Sequence, residues 1–143
     1  MKVERMTEAH LDSVAELERL CFAEPWSREA LKLLLGDEAV GFVCISEGQV
    51  LAYGGMLLAP GEGQITNVAV HPDARRRGMG NAVVRAMMRD ARERGLLQLV
   101  LEVRISNEAA ITLYERVGFF RAGVRRNFYK KPTEDAIVML ADV

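Results

Sequence analysis

Between Asn67 and Ala82 the chain passes from strand to helix through a basic, glycine-bearing loop. No other stretch restricts the fold as much. Asn67-Val68-Ala69-Val70 reads as an apolar strand, and His71-Pro72-Asp73 ends it. Pro72 has no amide donor and steers His71 away from helix. Arg75-Arg76-Arg77-Gly78-Met79-Gly80 follows, and a helical pattern opens at Asn81-Ala82. Glycines let backbone amides face one way in conformations that other residues avoid. A helix start adds unpaired N–H groups and partial positive charge. Together these predict an anion cradle of pyrophosphate size, with arginines around it. The same residues also fit a solvated charge run followed by an ordinary glycine turn. A P-loop is excluded, because the Lys-Ser/Thr ending is absent, and the three-glycine dinucleotide fingerprint does not fit.

The rest of the chain supplies elements to surround this unit. Thr7 caps a first helix with Leu11, Val14, Leu17 and Leu20 at helical spacing, interrupted by Cys21 to Trp26 because Pro25 cannot continue the ladder. Ser27 caps a second, with Ala30, Leu31, Leu34 and Leu35, stopped at Gly36. Val40 to Ile45 and Val50 to Leu58 form a hairpin through Glu47-Gly48-Gln49, and Pro60 to Gly63 turns into Ile65 to Val70. After the loop, Ala82, Val83, Ala86, Met87 and Ala91 predict a helix ended by Gly95. Leu97 to Val103 is a strand. A helix from Ser106 or Asn107 carries Ala110, Ile111, Tyr114 and Val117 as far as Gly118. Phe119 to Val124 begins another strand, and Ala136 to Leu140 is the last. This order predicts one mixed α/β domain over residues 1–143.

Composition narrows the function. The 143 residues, half of them hydrophobic, suffice for one core without disulfides or a structural metal. The 19 basic and 20 acidic residues nearly cancel, which argues against a general nucleic-acid binder. No apolar run approaches membrane-spanning length, and the polar, acidic start is unlike a secretory signal. A soluble, cytoplasmic protein is expected. Cys21 and Cys44 have no metal-ligand spacing and are expected as buried, reduced thiols. With two histidines, Ser-His-Asp chemistry and histidine-rich metal sites are disfavoured, and no metal is expected.

Two further residues stand out. Glu102 interrupts a strand of branched aliphatics, with Leu101 and Val103 on the other face and Val100 and Arg104 on its own. A carboxylate there costs free energy unless it is paired or opens into a cleft. It fits a salt bridge to Arg104 or another arginine, and it fits a general base. Tyr114 lies on an apolar helix stripe. Core packing with a satisfied hydroxyl accounts for it, as does a proton donor in a buried site.

The Arg75 to Gly80 loop after Asn67 to Val70 resembles the Gln/Arg-x-x-Gly-x-Gly/Ala acetyl-CoA loop of the GNAT superfamily of N-acetyltransferases. Asn107, Ala110, Leu113, Tyr114 and Gly118-Phe119 resemble that family's second half, in the right order. Pro25-Trp26-Ser27, Leu101 to Arg104 with Ser106-Asn107, and Arg125 to Tyr129 followed by Glu134-Asp135-Ala136 are similar to one branch. That branch is the bacterial ribosomal-protein N-terminal-alanine acetyltransferases, the RimI type. Phe128 departs from it, since an aromatic with a hydroxyl is common there.

The resemblance spans nearly the whole chain and carries a set of expectations. It implies a single-domain GNAT-like α/β fold: a mixed, mostly antiparallel sheet with a splayed central strand pair, flanked by helices. Acetyl-CoA is the implied cosubstrate. Its pantetheine arm would lie along Asn67, Val68, Ala69 and Val70. Its pyrophosphate would sit on Arg75, Arg76, Arg77, Gly78, Met79, Gly80, Asn81 and Ala82, with Asn107 and Tyr114 adding contacts. Glu102 is read as the general base, and the family places Tyr114 to protonate the departing thiolate. Attack is direct, in a ternary complex. Phe22, Pro25, Trp26 and Tyr129 would wall a peptide groove for an N-terminal alanine, on a small-subunit ribosomal protein; neither nucleic acid nor membrane is an implied partner. Another protein N-terminus, a lysine, a small-molecule amine, or an acyl-CoA sensor without turnover remain as alternatives.

Overall fold

The hairpin expected around Glu47-Gly48 forms there, and both residues have positive φ, 51° and 78°. Two such residues give the turn whose twist matches that of paired strands. In the computed structural model, which describes residues 1–143, it joins β2 (Ala39–Ser46) to β3 (Gln49–Ala59). The other elements are β1 (Lys2–Arg5), α1 (Leu11–Cys21), α2 (Arg28–Leu31), β4 (Glu62–Val70), α3 (Met79–Glu93), β5 (Gln98–Arg104), α4 (Glu108–Arg116), β6 (Phe120–Lys130) and β7 (Thr133–Asp142). They build a seven-stranded sheet in the order β1-β2-β3-β4-β5-β7-β6. Every neighbouring pair is antiparallel except β4–β5, and that parallel pair needs the crossover that α3 provides. No helix is long and apolar enough to cross a membrane.

The two faces bury separate cores. On one, Val83, Met87, Ile111 and Tyr114 from α3 and α4 pack with Met56, Leu101 and Met139. On the other, Leu11, Val14 and Leu17 of α1 meet Leu31, Tyr53 and Ala69. Each fully buried leucine contributes about 1.5–3 kcal/mol, so these layers hold the sheet in place.

Several expectations are corrected. β1 was not foreseen: it is four residues long and pairs Lys2 to Arg5 with Ile45 to Phe42 at the sheet edge. The buried face of α1 runs through Leu11, Val14, Ala15, Leu17 and Glu18, while Leu20 stays 47% exposed. The second half of the next helix tightens into a 3-10 turn, Lys32–Leu35, leaving Leu35 exposed. β6 extends to Lys130 because it is an edge strand, where Arg125 and Arg126 keep their charges in water. Both cysteines are free, but Cys21 is only half-buried, unlike Cys44.

Two irregularities in β4 position everything that follows. Its register against β3 slips between Gly55 and Met56, which inserts Thr66 as an extra residue. Ile65 therefore joins the α3–α4 core and Ala69 the α1–α2 core, although strict alternation would put both on one face. Thr66 Oγ1 fastens the bulge by donating to the Gly55 carbonyl at 3.3 Å. The second irregularity is a divergence. β4 and β5 pair only at Glu62–Gln98, Gly63–Leu99 and Gln64–Val100, yet continue to Val70 and Arg104. Strand edges thus open inside the sheet, offering backbone groups to an extended ligand.

Candidate active site

The basic loop sits at the mouth of this opening. Arg76 and Gly78 both have positive φ, 66° and 80°, and Gly78 is the N-cap of α3. A side chain at Gly78 would meet nothing within 4 Å, so its backbone conformation is what favours glycine there. Gly80 is different: a Cβ would lie 3.0 Å from Leu113 Cδ1 and 3.3 Å from Val70 Cγ2. The first helical bond runs from Ala82 N to Gly78 O at 3.0 Å, leaving the amides of Met79, Gly80 and Asn81 without helical acceptors. Arg75 Nε donates to the Val70 carbonyl at 3.3 Å and Arg77 Nη2 to the Asp73 carbonyl at 3.4 Å. The Arg75 and Arg77 guanidinium groups therefore brace the loop, while the amides at the start of α3 are left without helical partners. These groups fit a diphosphate. The Val70 carbonyl is partly occupied, since Cys21 Sγ also donates to it at 3.3 Å. Asn81 accepts from Arg85 Nε at 2.7 Å, and Met79 is core.

Glu102 lies on β5 beyond the divergence, its side chain 11% exposed, with Leu101 and Val103 buried behind it. Its cation is not Arg104. Arg125 Nη1 stands 3.7 Å from Glu102 Oε1. Arg104 turns to the β6–β7 hairpin, donating to Glu134 Oε1 at 3.1 Å and to the carbonyls of Pro132 and Lys131 at 2.9 and 3.3 Å. Glu134 also accepts from the Ser106 amide at 2.7 Å, and hydrogen bonding from the Ser106 side chain, then from Arg104, holds its carboxyl below the usual range. The Arg104 guanidinium lies 4.3 Å from the ring centre of Tyr129, fixing that ring by cation–π contact. Burial, then the charge of Glu102, pushes the Tyr129 phenol up to about 12. Burial raises the Tyr114 phenol as well, with Tyr129 adding to it, and Tyr114 packs on Phe119 at 5.7 Å. A carboxylate and two protonated phenols thus gather from β5, α4 and β6.

The other residues expected to meet the acceptor lie in the loop between α1 and α2. Phe22 and Pro25 are exposed there, and Trp26 is half-buried against the α1–α2 core. Ser27 caps α2 by accepting from Ala30 N at 3.1 Å. The Trp26 amide donates to Glu18 Oε1 at 2.8 Å. Glu18 is fully buried and also accepts from the Tyr53 hydroxyl at 2.5 Å and from Asn67 Nδ2 at 3.1 Å. Burial, then the Glu18 charge, drives the Tyr53 phenol far above its ordinary value. Because Glu18 takes the amide nitrogen of Asn67, Asn67 Oδ1 is left buried without a partner, a cost of about 1–3 kcal/mol. This cluster was not anticipated. Its signal is the series Leu11, Val14, Ala15, Glu18, which puts an acid on the apolar stripe of a helix.

Asn107 spends its side-chain oxygen on capping α4, accepting from Ala110 N at 3.1 Å. A cavity of about 760 Å³ lies elsewhere, between α1 and the β2–β3 turn, bounded by Leu17, Leu20, Gly48, His71 and Arg77. Its lining takes in Asp73, Ala74 and Arg77 but neither Glu102 nor Tyr114.

A family model described as Acetyltransferase (GNAT) family matches residues 11–119. The chain is 37% identical over 133 residues to the ribosomal protein bS18-alanine N-acetyltransferase of Escherichia coli strain K12, with 90% of this chain and 88% of that protein covered. A putative ribosomal protein bS18-alanine N-acetyltransferase of Bacillus subtilis strain 168 is 32% identical over 139 residues, covering 96% and 92%. The crystal structure of the ribosomal-protein-S18-alanine N-acetyltransferase from Escherichia coli matches with a TM-score of 0.92 at 33% identity, over 99% of this chain and 93% of that one. Sequence and geometry agree over nearly the full length, so the chain belongs to the GNAT acetyltransferase family and is an acetyl-CoA-dependent N-acetyltransferase.

Proposed function

We propose that this enzyme acetylates the α-amine of an N-terminal alanine, that of ribosomal protein bS18, in the cytoplasm. Residues 1–143 work as one N-acetyltransferase domain. The observation that carries the chemistry is Glu102: a carboxylate at the open end of the splay, beside the Tyr129 phenol that in turn neighbours Tyr114, and with one cation no nearer than 3.7 Å. The acceptor is supported by likeness to the relatives named above.

In this reading the amides from Arg76 to Asn81 hold the pyrophosphate, with Arg75, Arg77 and Ala82 completing the loop. Pantetheine lies between β4 and β5, along Asn67, Val68, Ala69 and Val70, and Asn107 flanks it. A β4 amide near Asn67 or Val68 polarises the acetyl carbonyl. The amine must be neutral to attack. An α-amino group has a reference pKa of about 7.7–8.0, against about 10.4 for lysine, so a glutamate is better matched to an N-terminus. Glu102 takes the amine proton, directly or through water, as the C–N bond forms. Collapse of the tetrahedral intermediate breaks the C–S bond, and Tyr114 gives its proton to the thiolate. Phe22, Pro25 and Trp26 form one wall of the peptide groove, and Tyr129 the other.

The test is mass spectrometry of peptides beginning with alanine, serine or methionine, or carrying an internal lysine, after incubation with acetyl-CoA. Alanine-first peptides should be modified at the α-amine. Trp26→Ala should raise the peptide KM by about tenfold, the scale of a lost aromatic contact, and leave CoA affinity intact. Preferential modification of internal lysines by the wild type would overturn the assignment.

A further inference from the structure

We propose that Glu18 is a positioning residue: its buried carboxylate locks the acceptor loop onto the bulged strand β4, so that amine and acetyl carbon meet at one fixed separation. The inference rests on the acceptor reading above. Glu18 accepts from three elements at once: the Trp26 amide of the α1–α2 loop, the Tyr53 hydroxyl of β3 and Asn67 Nδ2 of β4. Two of these touch the proposed machinery. Trp26 belongs to the peptide wall, and Asn67 follows the bulge residue Thr66 in the strand that polarises the acetyl group. No basic side chain pairs with Glu18; its bonds come from an amide, a phenol and a carboxamide.

Packing alone would be served better by an apolar residue at this position of the stripe, because a buried carboxylate is costly without its donors. Three donors also demand what only a carboxylate offers, acceptor sites on both oxygens. Asn67 bears the consequence. Its nitrogen is held toward Glu18, and its oxygen goes unpartnered in the interior. The arrangement favours a set geometry between loop and strand over local hydrogen-bond satisfaction. Reaction rates are sensitive to such geometry, since a misplacement of about 1 Å costs on the order of 10²-fold.

Glu18→Gln keeps the shape but replaces one acceptor oxygen with an NH2 group that confronts a donor. For an alanine-first peptide, kcat/KM should fall by about 10²-fold, with KM raised and kcat lowered. CoA affinity by calorimetry should be unchanged. Glu18→Gln combined with Asn67→Asp reverses the polarity of the pair and should recover most of the loss. Tyr53→Phe removes the donor that touches neither wall, so it should lower the melting temperature and spare KM. Unchanged kcat/KM per folded Glu18→Gln molecule, or no recovery in the double variant, would overturn the proposal. If Glu18→Gln does not fold, Asn67→Ala severs the strand tie alone, and an unchanged kcat there overturns it equally. Should the wild type prefer lysine, the acceptor reading falls, and the same comparison on that amine still decides the role of Glu18.

Discussion

Glu18 and Glu102 are carboxylates on opposite sides of the β4–β5 opening, and they are held in opposite ways. Glu18 has no exposure and three hydrogen-bond donors between 2.5 and 3.1 Å. Glu102 is nearly as enclosed, its side chain 11% exposed, yet its cation is 3.7 Å away on an arginine side chain that is 59% exposed. Burial therefore does not separate the two. Unused acceptor capacity does. A carboxylate saturated with donors sets distances between elements, whereas one left loosely paired at a cleft has lone pairs for a substrate proton.

The largest expected effect breaks the reactive side of that contrast. Glu102→Gln should lower turnover by about 10²–10⁴-fold while the melting temperature holds. Part of the loss should return as pH rises through the α-amine range near 8, because more amine is already neutral. No falling limb should come from Tyr129 in that range, since its phenol is pushed up to about 12 and stays protonated. Near-wild-type turnover between roughly pH 6 and 9 would move the base elsewhere. Next is the loop that follows the opposite strand. Gly78→Asp puts a β-carbon at φ 80° and a negative charge into the cradle, and should weaken CoA binding by about tenfold or more. Calorimetry showing unchanged affinity would displace the pyrophosphate from this loop. The smallest effect sharpens the comparison: Arg125→Ala should change stability by no more than about 0–1 kcal/mol, as exposed ion pairs do. A fall of several kcal/mol in denaturant unfolding would make Glu102 a structural carboxylate like Glu18.

What was legible in the chain is what local chemistry controls. The Glu47-Gly48 turn, the Ser27 and Asn107 caps, the proline that ends β4 and the glycine loop that opens α3 all stand where their residues predict. Alternation also put Leu101 and Val103 behind Glu102. One edge strand and the far end of another escaped notice for one reason. β1 and the end of β6 have little buried face, so neither shows a period, and β6 carries Arg125-Arg126-Asn127 where a core strand would be apolar. Glu18 was visible as an acid on the stripe of α1, but its donors lie 8, 35 and 49 residues away in sequence.

By itself, then, the sequence determined most of the elements and the glycine loop that opens α3, because caps, turns and periodicity act over a few residues. It also singled out Glu102 and Tyr114, since a charge or a phenol on an apolar stripe is visible without a fold. Tertiary structure decided how they are used. The bulge at Thr66 and the divergence of β4 from β5 are properties of two strands together, and no single segment encodes them. The exchange of arginines is of the same kind: Arg104, two residues from Glu102, reaches Glu134, while Arg125 from the far strand faces Glu102. Which charge meets which depends on the three-dimensional path of the backbone, and hydrogen-bond saturation of a carboxylate can be read only there.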